Sequence, residues 1–430
     1  MNTKRISFSR LQVTLITILL GTIVVLGWVF FRQSQETPSQ TSEATASSLG
    51  KPVTEDGVDY LSYHIDYRPS NYITLPNQLP KRLTFNSSIT IPYPSDGVKG
   101  IYVTANSANS SYFNQLIDLL DKTALNSMVI DIKEDLGNIT LDFQSQNELI
   151  KANTDVTITD KDAMMKSLEK HQIYPIARIV VFKDSNLAMK HPEMSFVNPN
   201  GSVWLDNNGH AFVNPFLKEV WDYNIEVAKE AARLGFKEIQ FDYVRFAEGF
   251  ELIEDRLTYN QGDYANLDMD LGQKRVKAIT DFLAYAKEQL KFYNVEVSVD
   301  IFGYTATLDE ATGIGQNFLK MSQHVDVVSS MIYPSHWGEA YFGIVSPDLH
   351  PYDLIAAYIQ EENKLLATLE KAPTTRPWLQ NFTASYLPDG TYQVYGPFQV
   401  SQQIKALKDN GVNEYLLWDA GNEYFENADY

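Results

Sequence analysis

Beyond Gly97 the chain returns again and again to one pattern. A short, mostly apolar run is followed by a polar loop, then by a stretch whose apolar positions recur every three to four residues. The apolar runs are Gly100–Thr104, Ser127–Lys133, Ile173–Phe182, Glu238–Val244, Glu296–Phe302, Asp326–Tyr333, Arg376–Phe382 and Glu414–Asp419. The helical stretches between them are Ser110–Thr123, Asp160–His171, Pro215–Leu234, Asp270–Tyr293, Gly315–His324, Pro351–Thr368 and Val400–Asn410. Strands that alternate with amphipathic helices pair in parallel through helical crossovers. Eight such units predict an α/β protein built as a (β/α)8 TIM barrel. The alternative, an open doubly wound sheet, would offer a glycine-rich first turn for a nucleotide. Thr104-Ala105-Asn106-Ser107 offers none.

The other end of the chain is patterned differently. Leu11 to Phe31 carries no charge over 21 residues, enough helix to cross a bilayer core. Lys4, Arg5 and Arg10 precede the run and only Arg32 follows it, which keeps the short tail in the cytoplasm. Residues 1–32 are therefore expected to be a tail and transmembrane anchor, with the rest of the chain extracellular. A signal peptide cleaved within Ala44–Ser48 is the alternative. Residues 33–57 read as a flexible Ser/Thr/Gln-rich linker. Residues 58–96 read as an N-terminal extension packed on the barrel, and 97–430 as the barrel domain.

Composition narrows the chemistry. Of 430 residues, 44% are hydrophobic and 12% aromatic, which suits a large core and not a disordered chain. There is no cysteine, so disulfides, thiolate metal sites and a cysteine nucleophile are excluded. The net charge is −19. Four of the 35 basic residues and none of the acidic ones lie in 1–32, which leaves 31 against 54 outside, a net charge of −23. Such a surface argues against nucleic acid as a partner.

Strand alternation then sorts polar side chains between the lumen and the helix layer. In Val297-Ser298-Val299-Asp300-Ile301 the branched residues share one face, which leaves Ser298 and Asp300 for the lumen. The same logic directs Gln240 and Asp242 inward, and Asp131 with Lys133. These carboxylates fall toward the C-terminal ends of their strands, where barrel enzymes keep their chemistry. Asp242 and Asp300 are expected side by side on neighbouring strands. Paired carboxylates are what glycoside hydrolysis needs: one protonates the leaving oxygen, and the other attacks or activates water. Asp242 is the expected nucleophile or base and Asp300 the acid. Asp131, Lys133, Arg178 and Arg245 would position substrate and tune charge. Tyr333, His336, Trp337, Trp378, Gln380 and Asp419 would line the substrate cleft, since aromatic faces stack on pyranose rings. Trp418 is expected to pack against the helix layer.

Other signals count for less. Asp206-Asn207-Asn208-Gly209 resembles part of a calcium loop but reads as a turn. Leu387–Tyr392 reads as a hairpin over the barrel mouth. No His-Glu-x-x-His, nucleophile elbow or phosphate loop is present, and no metal or cofactor is expected.

The stretch from Asn214-Pro215 through Glu219-Val220-Trp221-Asp222-Tyr223-Asn224 to Glu238-Ile239-Gln240-Phe241-Asp242-Tyr243-Val244-Arg245-Phe246 resembles the signature of a bacterial glycoside hydrolase family similar to α-amylase-like barrel enzymes. Val299–Gly303, Met331–Trp337, Arg376–Gln380 and Leu417–Ala420 resemble it too, so the likeness spans roughly 97–425. It implies a sugar-active barrel with an Asp nucleophile on the fourth strand and a Glu acid on the fifth. Asp242 matches the first; Asp300 stands in the second place. The Arg that such enzymes carry two residues before the nucleophile is Gln240 here, and Gln380 replaces a carboxylate common on the seventh strand. The expectation is a membrane-anchored extracellular glycoside hydrolase acting on a cell-envelope or extracellular polysaccharide. The alternative is a catalytically inactive glycan-binding or scaffold barrel.

Overall fold

The computed structural model describes residues 65–66, 72–73 and 83–430. The expected anchor at Leu11–Phe31, the linker and much of the N-terminal extension lie outside the described residues. Among the described residues no helix is long and apolar enough to cross a membrane.

Eight parallel strands form the barrel: β1 Lys99–Val103, β2 Ser127–Lys133, β3 Tyr174–Val180, β4 Glu238–Asp242, β5 Glu296–Phe302, β6 Val327–Met331, β7 Trp378–Gln380 and β8 Tyr415–Trp418. They pair in chain order, and β8 returns to β1. The weakest seam is between β6 and β7, where Trp378 pairs with Met331 and Thr374–Thr375 continues the contact below. Seven connecting helices surround the strands: α1 Tyr112–Lys122, α2 Lys161–Lys170, α3 Lys218–Leu234, α4 Leu271–Leu290, α5 Phe318–Ser322, α6 Pro351–Leu366 and α7 Pro397–Asp409. Every strand and helix predicted from periodicity is present, with ends shifted by a few residues. The predicted hairpin at Leu387–Tyr392 is instead a tight turn closed by Thr391 N–H on the Pro388 carbonyl, with no paired strands. Asp206 holds its turn by accepting the Asn208 and His210 amides.

The apolar strand faces and the helices make the core between them, with Val299, Ile301, Phe241, Phe282 and Leu283 fully buried. The lumen is filled by polar and aromatic side chains. At its floor Arg376 bridges to Glu238 at 2.7 Å and to Glu414 at 2.8 Å. The segment before β1 closes over this floor. Tyr93 donates to Glu414 and accepts from Arg376 at 2.9 Å, and the Ile89 carbonyl accepts from Lys237. Helix α3 ends at Gly235, whose φ is +124°. A Cβ there would stand 2.5 Å from Ile89, so both conformation and space demand glycine.

Candidate active site

The site is assembled by strand register. Parallel pairing sets Gln240 opposite Ser298 and Phe241 opposite Val299, so Asp242 and Asp300 fall at one level on adjacent strands. On the other side of β4, Arg178 pairs with Gln240 and with Asp131. Asp131, Arg178, Gln240, Asp242, Ser298 and Asp300 face the lumen, while Phe241 and Val299 face the helices.

Arg178 is the hub. Its Nε and Nη2 donate to Asp242 Oδ2 at 2.9 and 2.6 Å. Its Nη1 donates to Asp131 at 2.7 Å, and Nη2 also reaches Asp135 at 2.9 Å. The guanidinium thus occupies the place beside the expected nucleophile that the sequence, with Gln240 two residues before Asp242, left empty. It arrives from the neighbouring strand. Asp131 also accepts from the Tyr102 hydroxyl. Burial pushes the Asp131 carboxyl above its ordinary range, against the pull of Arg178. Asp135 is opposite: burial would raise it, but Arg178 and Lys183 win and hold it well below the usual carboxylate range.

Asp300 stands apart from this cationic web. It is 2% exposed and accepts the indole N–H of Trp378 at 2.8 Å. Burial, then the neighbouring Asp242 charge, push its carboxyl well above the usual range, and the Trp378 bond and Arg178 do not offset them. Two carboxylates at one level therefore have opposed environments: Asp242 is held by a guanidinium, and Asp300 is driven toward its protonated form.

Asp242 is also oriented by its own chain. Tyr243 has φ +51°, a region that bulky residues seldom enter. The Tyr243 amide donates to Asp242 Oδ1, 2.6 Å away, while the flanking carbonyls of 242 and 243 still accept from Val181 and Phe182. The Tyr243 ring is pinned by Lys183 at 4.6 Å and Arg245 at 4.8 Å from its centroid. Arg245 lies between this ring and Phe302, at 4.6 Å, and makes its nearest ion pair with Glu248. It flanks the mouth without touching Asp242.

An aromatic wall faces the carboxylates. Tyr333 packs on Trp418, Phe382 and His336, with centroids 5.8, 5.9 and 5.1 Å away. Trp418 in turn stacks on Tyr102. Trp418 is therefore part of the mouth, contrary to the expectation that it packs against the helix layer. Together with Tyr102, Asp135, Lys183 and Tyr243, it was missed by reasoning from alternation. Trp418 ends β8, where the strand face no longer dictates direction.

Other predicted site residues are placed elsewhere. Lys133 does not point into the lumen. An irregularity in register between Asp131 and Lys133 turns it outward, where it is fully buried, pairs with Asp184 at 2.7 Å and lies over the Tyr223 ring of α3. Trp337 packs on Tyr341, Phe342 and Tyr358 of α6 and is no platform at the carboxylates. Gln380 is fully buried: it accepts the Ser335 amide and donates to Asp348 and the Phe382 carbonyl, bracing the loops. Asp419 accepts the Gly421 and Glu423 amides and shapes the turn after β8. A depression of about 630 Å³ lies away from all of this, between the Gln144–Leu149 loop and the flank of α3.

Residues 100–424 match the model of a family described as "Putative glycosyl hydrolase domain". Among solved structures, the chain is similar to the PgaB (BpsB) glycoside hydrolase domain from Bordetella bronchiseptica, with 15% identity, 76% of this chain and 94% of that chain covered, and a TM-score of 0.54. That likeness shows a shared fold. The chain is also 33% identical to a hypothetical protein from Ruminiclostridium thermocellum, over 46% of this chain and 96% of that one, with a TM-score of 0.40. It is 12% identical to the spore cortex-lytic enzyme SleL of Bacillus megaterium, over 83% and 75% of the two chains, with a TM-score of 0.43. No curated protein matches.

Proposed function

Since the chain belongs to this glycosyl hydrolase family, as its Phe241–Phe246 block implied, we propose that it cleaves a polysaccharide with Asp242 and Asp300 as the reacting carboxylates. The observation that carries the reading is their opposed electrostatics at one level of the lumen. Asp300 delivers its proton to the glycosidic oxygen. Asp242, bound by the Arg178 guanidinium and by the Tyr243 amide, attacks or stabilises the anomeric carbon. Neighbouring strand backbones stand about 5 Å apart, and two carboxylates at one level on them suit the roughly 5–5.5 Å of retaining enzymes better than the roughly 6.5–9.5 Å of inverting ones. The proposed outcome is retention, through a glycosyl ester on Asp242 that water then hydrolyses as Asp300 takes the proton back.

The proposed location is the outer face of the cell membrane, with Leu11–Phe31 as anchor. The substrate is a polysaccharide of the cell envelope or of the extracellular matrix. The acidic chain, at −19, and the Tyr333–Trp418–Phe382 wall support a glycan and not nucleic acid. An inactive binding barrel is disfavoured because Asp300 makes a hydrogen bond to Trp378 and no ion pair among the described residues.

The test is reducing-sugar release by the purified protein across a panel of bacterial cell-wall and capsular polysaccharides, with Asp242→Asn in parallel. Release by the wild type, lost by about 10³-fold or more in the variant while its circular dichroism is unchanged, is the expected result; loss of an activated carboxylate usually costs this order. Equal release by both forms removes Asp242 from the mechanism.

A further inference from the structure

Away from the carboxylates, α6 and α7 begin beside each other at the catalytic end of the barrel, because crossover helices run antiparallel to the strands. Between their first turns lies a cleft of about 240 Å³, lined by His350, Tyr352, Gln393, Phe398, Gln399 and Gln402, among others. Phe398 is 67% exposed, on the second residue of α7. Burying that ring would be favourable, yet nothing in the described residues covers it. Three glutamines and a histidine surround the ring, and amides both donate to and accept from hydroxyls. The Gln399 side chain is held in place by the Gly396 amide and by Gln393, so the polar rim is built before any ligand arrives.

The cleft is tied to the site already described. Gln393 donates to the Asp348 carbonyl, and its own amide donates to the Asp348 carboxylate. Asp348 in turn accepts from Gln380, which accepts the Ser335 amide two residues beyond Tyr333. Tyr386, 64% exposed, leans on Ser335 from the same loop. Two exposed rings, Tyr386 and Phe398, thus stand on the stretch that runs from β7 into α7.

We propose that this cleft is a second sugar-binding subsite, which receives one pyranose ring of the same polysaccharide chain whose glycosidic bond lies at Asp242 and Asp300. The inference rests on the glycoside hydrolase reading for its ligand. A sugar has an apolar ring face and an equatorial rim of hydroxyls, and an exposed phenyl ring flanked by amides matches both. The volume is below the roughly 300–1,000 Å³ of pockets that enclose whole ligands. It fits one residue of a polymer whose remainder continues along the surface. Asp353 is the one carboxylate of the lining and no lysine or arginine joins it, which points to a ring without acidic groups.

The test uses the full chain in detergent, with Asp242→Asn as the background so that polymer survives the measurement. Electrophoresis through gels containing each polysaccharide of the panel reads retardation. Phe398→Ala should weaken it by about three- to tenfold, the worth of one aromatic stack, and Phe398→Trp should restore it. Phe398 is exposed, so neither change disturbs the core. In the active background, Phe398→Ala should lower the rate on polymer at least threefold more than the rate on a disaccharide of the same glycan. Retardation equal in Phe398→Ala, or no retardation of the parent by any polysaccharide, overturns the subsite. Retardation that depends on Phe398 without any hydrolysis by the wild type keeps the subsite and sinks the hydrolase reading instead.

Discussion

The two carboxylates differ because their neighbours differ, and each difference has a consequence that can be measured. Asp300 has a carboxyl raised by burial and by Asp242. A carboxyl whose folded value is raised costs no stability in acid, where it is protonated in both states. Its cost grows as the pH climbs from the ordinary carboxylate range through the raised value. Asp300→Asn should therefore melt at the same temperature as the wild type in acid and above it at alkaline pH; parallel melting curves at every pH would show that Asp300 is not raised. The same variant should lose the alkaline limb of the rate profile. It should also keep far more activity on an aryl glycoside with an activated leaving group than on the natural linkage. Tyr243 offers a second residue-scale test. Its left-handed backbone costs about 1–2 kcal/mol in a non-glycine residue, and its amide donates to Asp242, so strain there is free to displace that bond. Tyr243→Gly retains that backbone without strain, whereas Tyr243→Val resists it. The valine variant should lose more kcat than the glycine variant; equal losses would mean that the ring, and not the amide, matters.

Among the elements, the strands and helices follow directly from periodicity, while the ends of strands decide the site. β4 and β5 are aligned so that Asp242 and Asp300 share a level, and β3 hands Arg178 across to Asp242. Below them, β7 and β4 are locked through the lumen by Arg376 and Glu238, both fully buried. Removing one partner of such a pair strands a charge in the core, at about 3–5 kcal/mol. Arg376→Met should lower the stability by that order, read as a fall in melting temperature, and Glu238→Gln in the same chain should recover part of it. A melting temperature unchanged by Arg376→Met would mean that the floor of the barrel is solvated. The segment before β1 shares this network through Tyr93, so its removal should act in the same direction.

At the scale of the whole molecule, the barrel presents one face with chemistry and one face closed by residues 83–98. The proposed anchor would hold that barrel outside the cell on a Ser/Thr-rich linker. The full chain should sediment with membranes and resist carbonate extraction, and protease added to intact cells should release the barrel. A chain found in the culture medium with its N-terminus within Ala44–Ser48 would establish a cleaved signal peptide instead.

The architecture was legible because hydrophobic period is local: each strand and helix announces itself within a dozen residues, and eight alternations leave little choice but closure. The inward direction of Asp131, Gln240, Asp242, Ser298 and Asp300 was legible for the same reason, since alternation holds along an unbroken strand. What sequence could not supply was everything set by contact between distant segments. A shift in register turned Lys133 to the helix layer. Trp337 packed on α6, and Trp418 joined the mouth, where strand regularity ends. Arg178 reached Asp242 only because β3 lies beside β4. The identities of the two carboxylates proposed to react are written in one strand each. The raised carboxyl of Asp300 is a property of burial and of charges brought together from neighbouring strands, and only the closed barrel creates those.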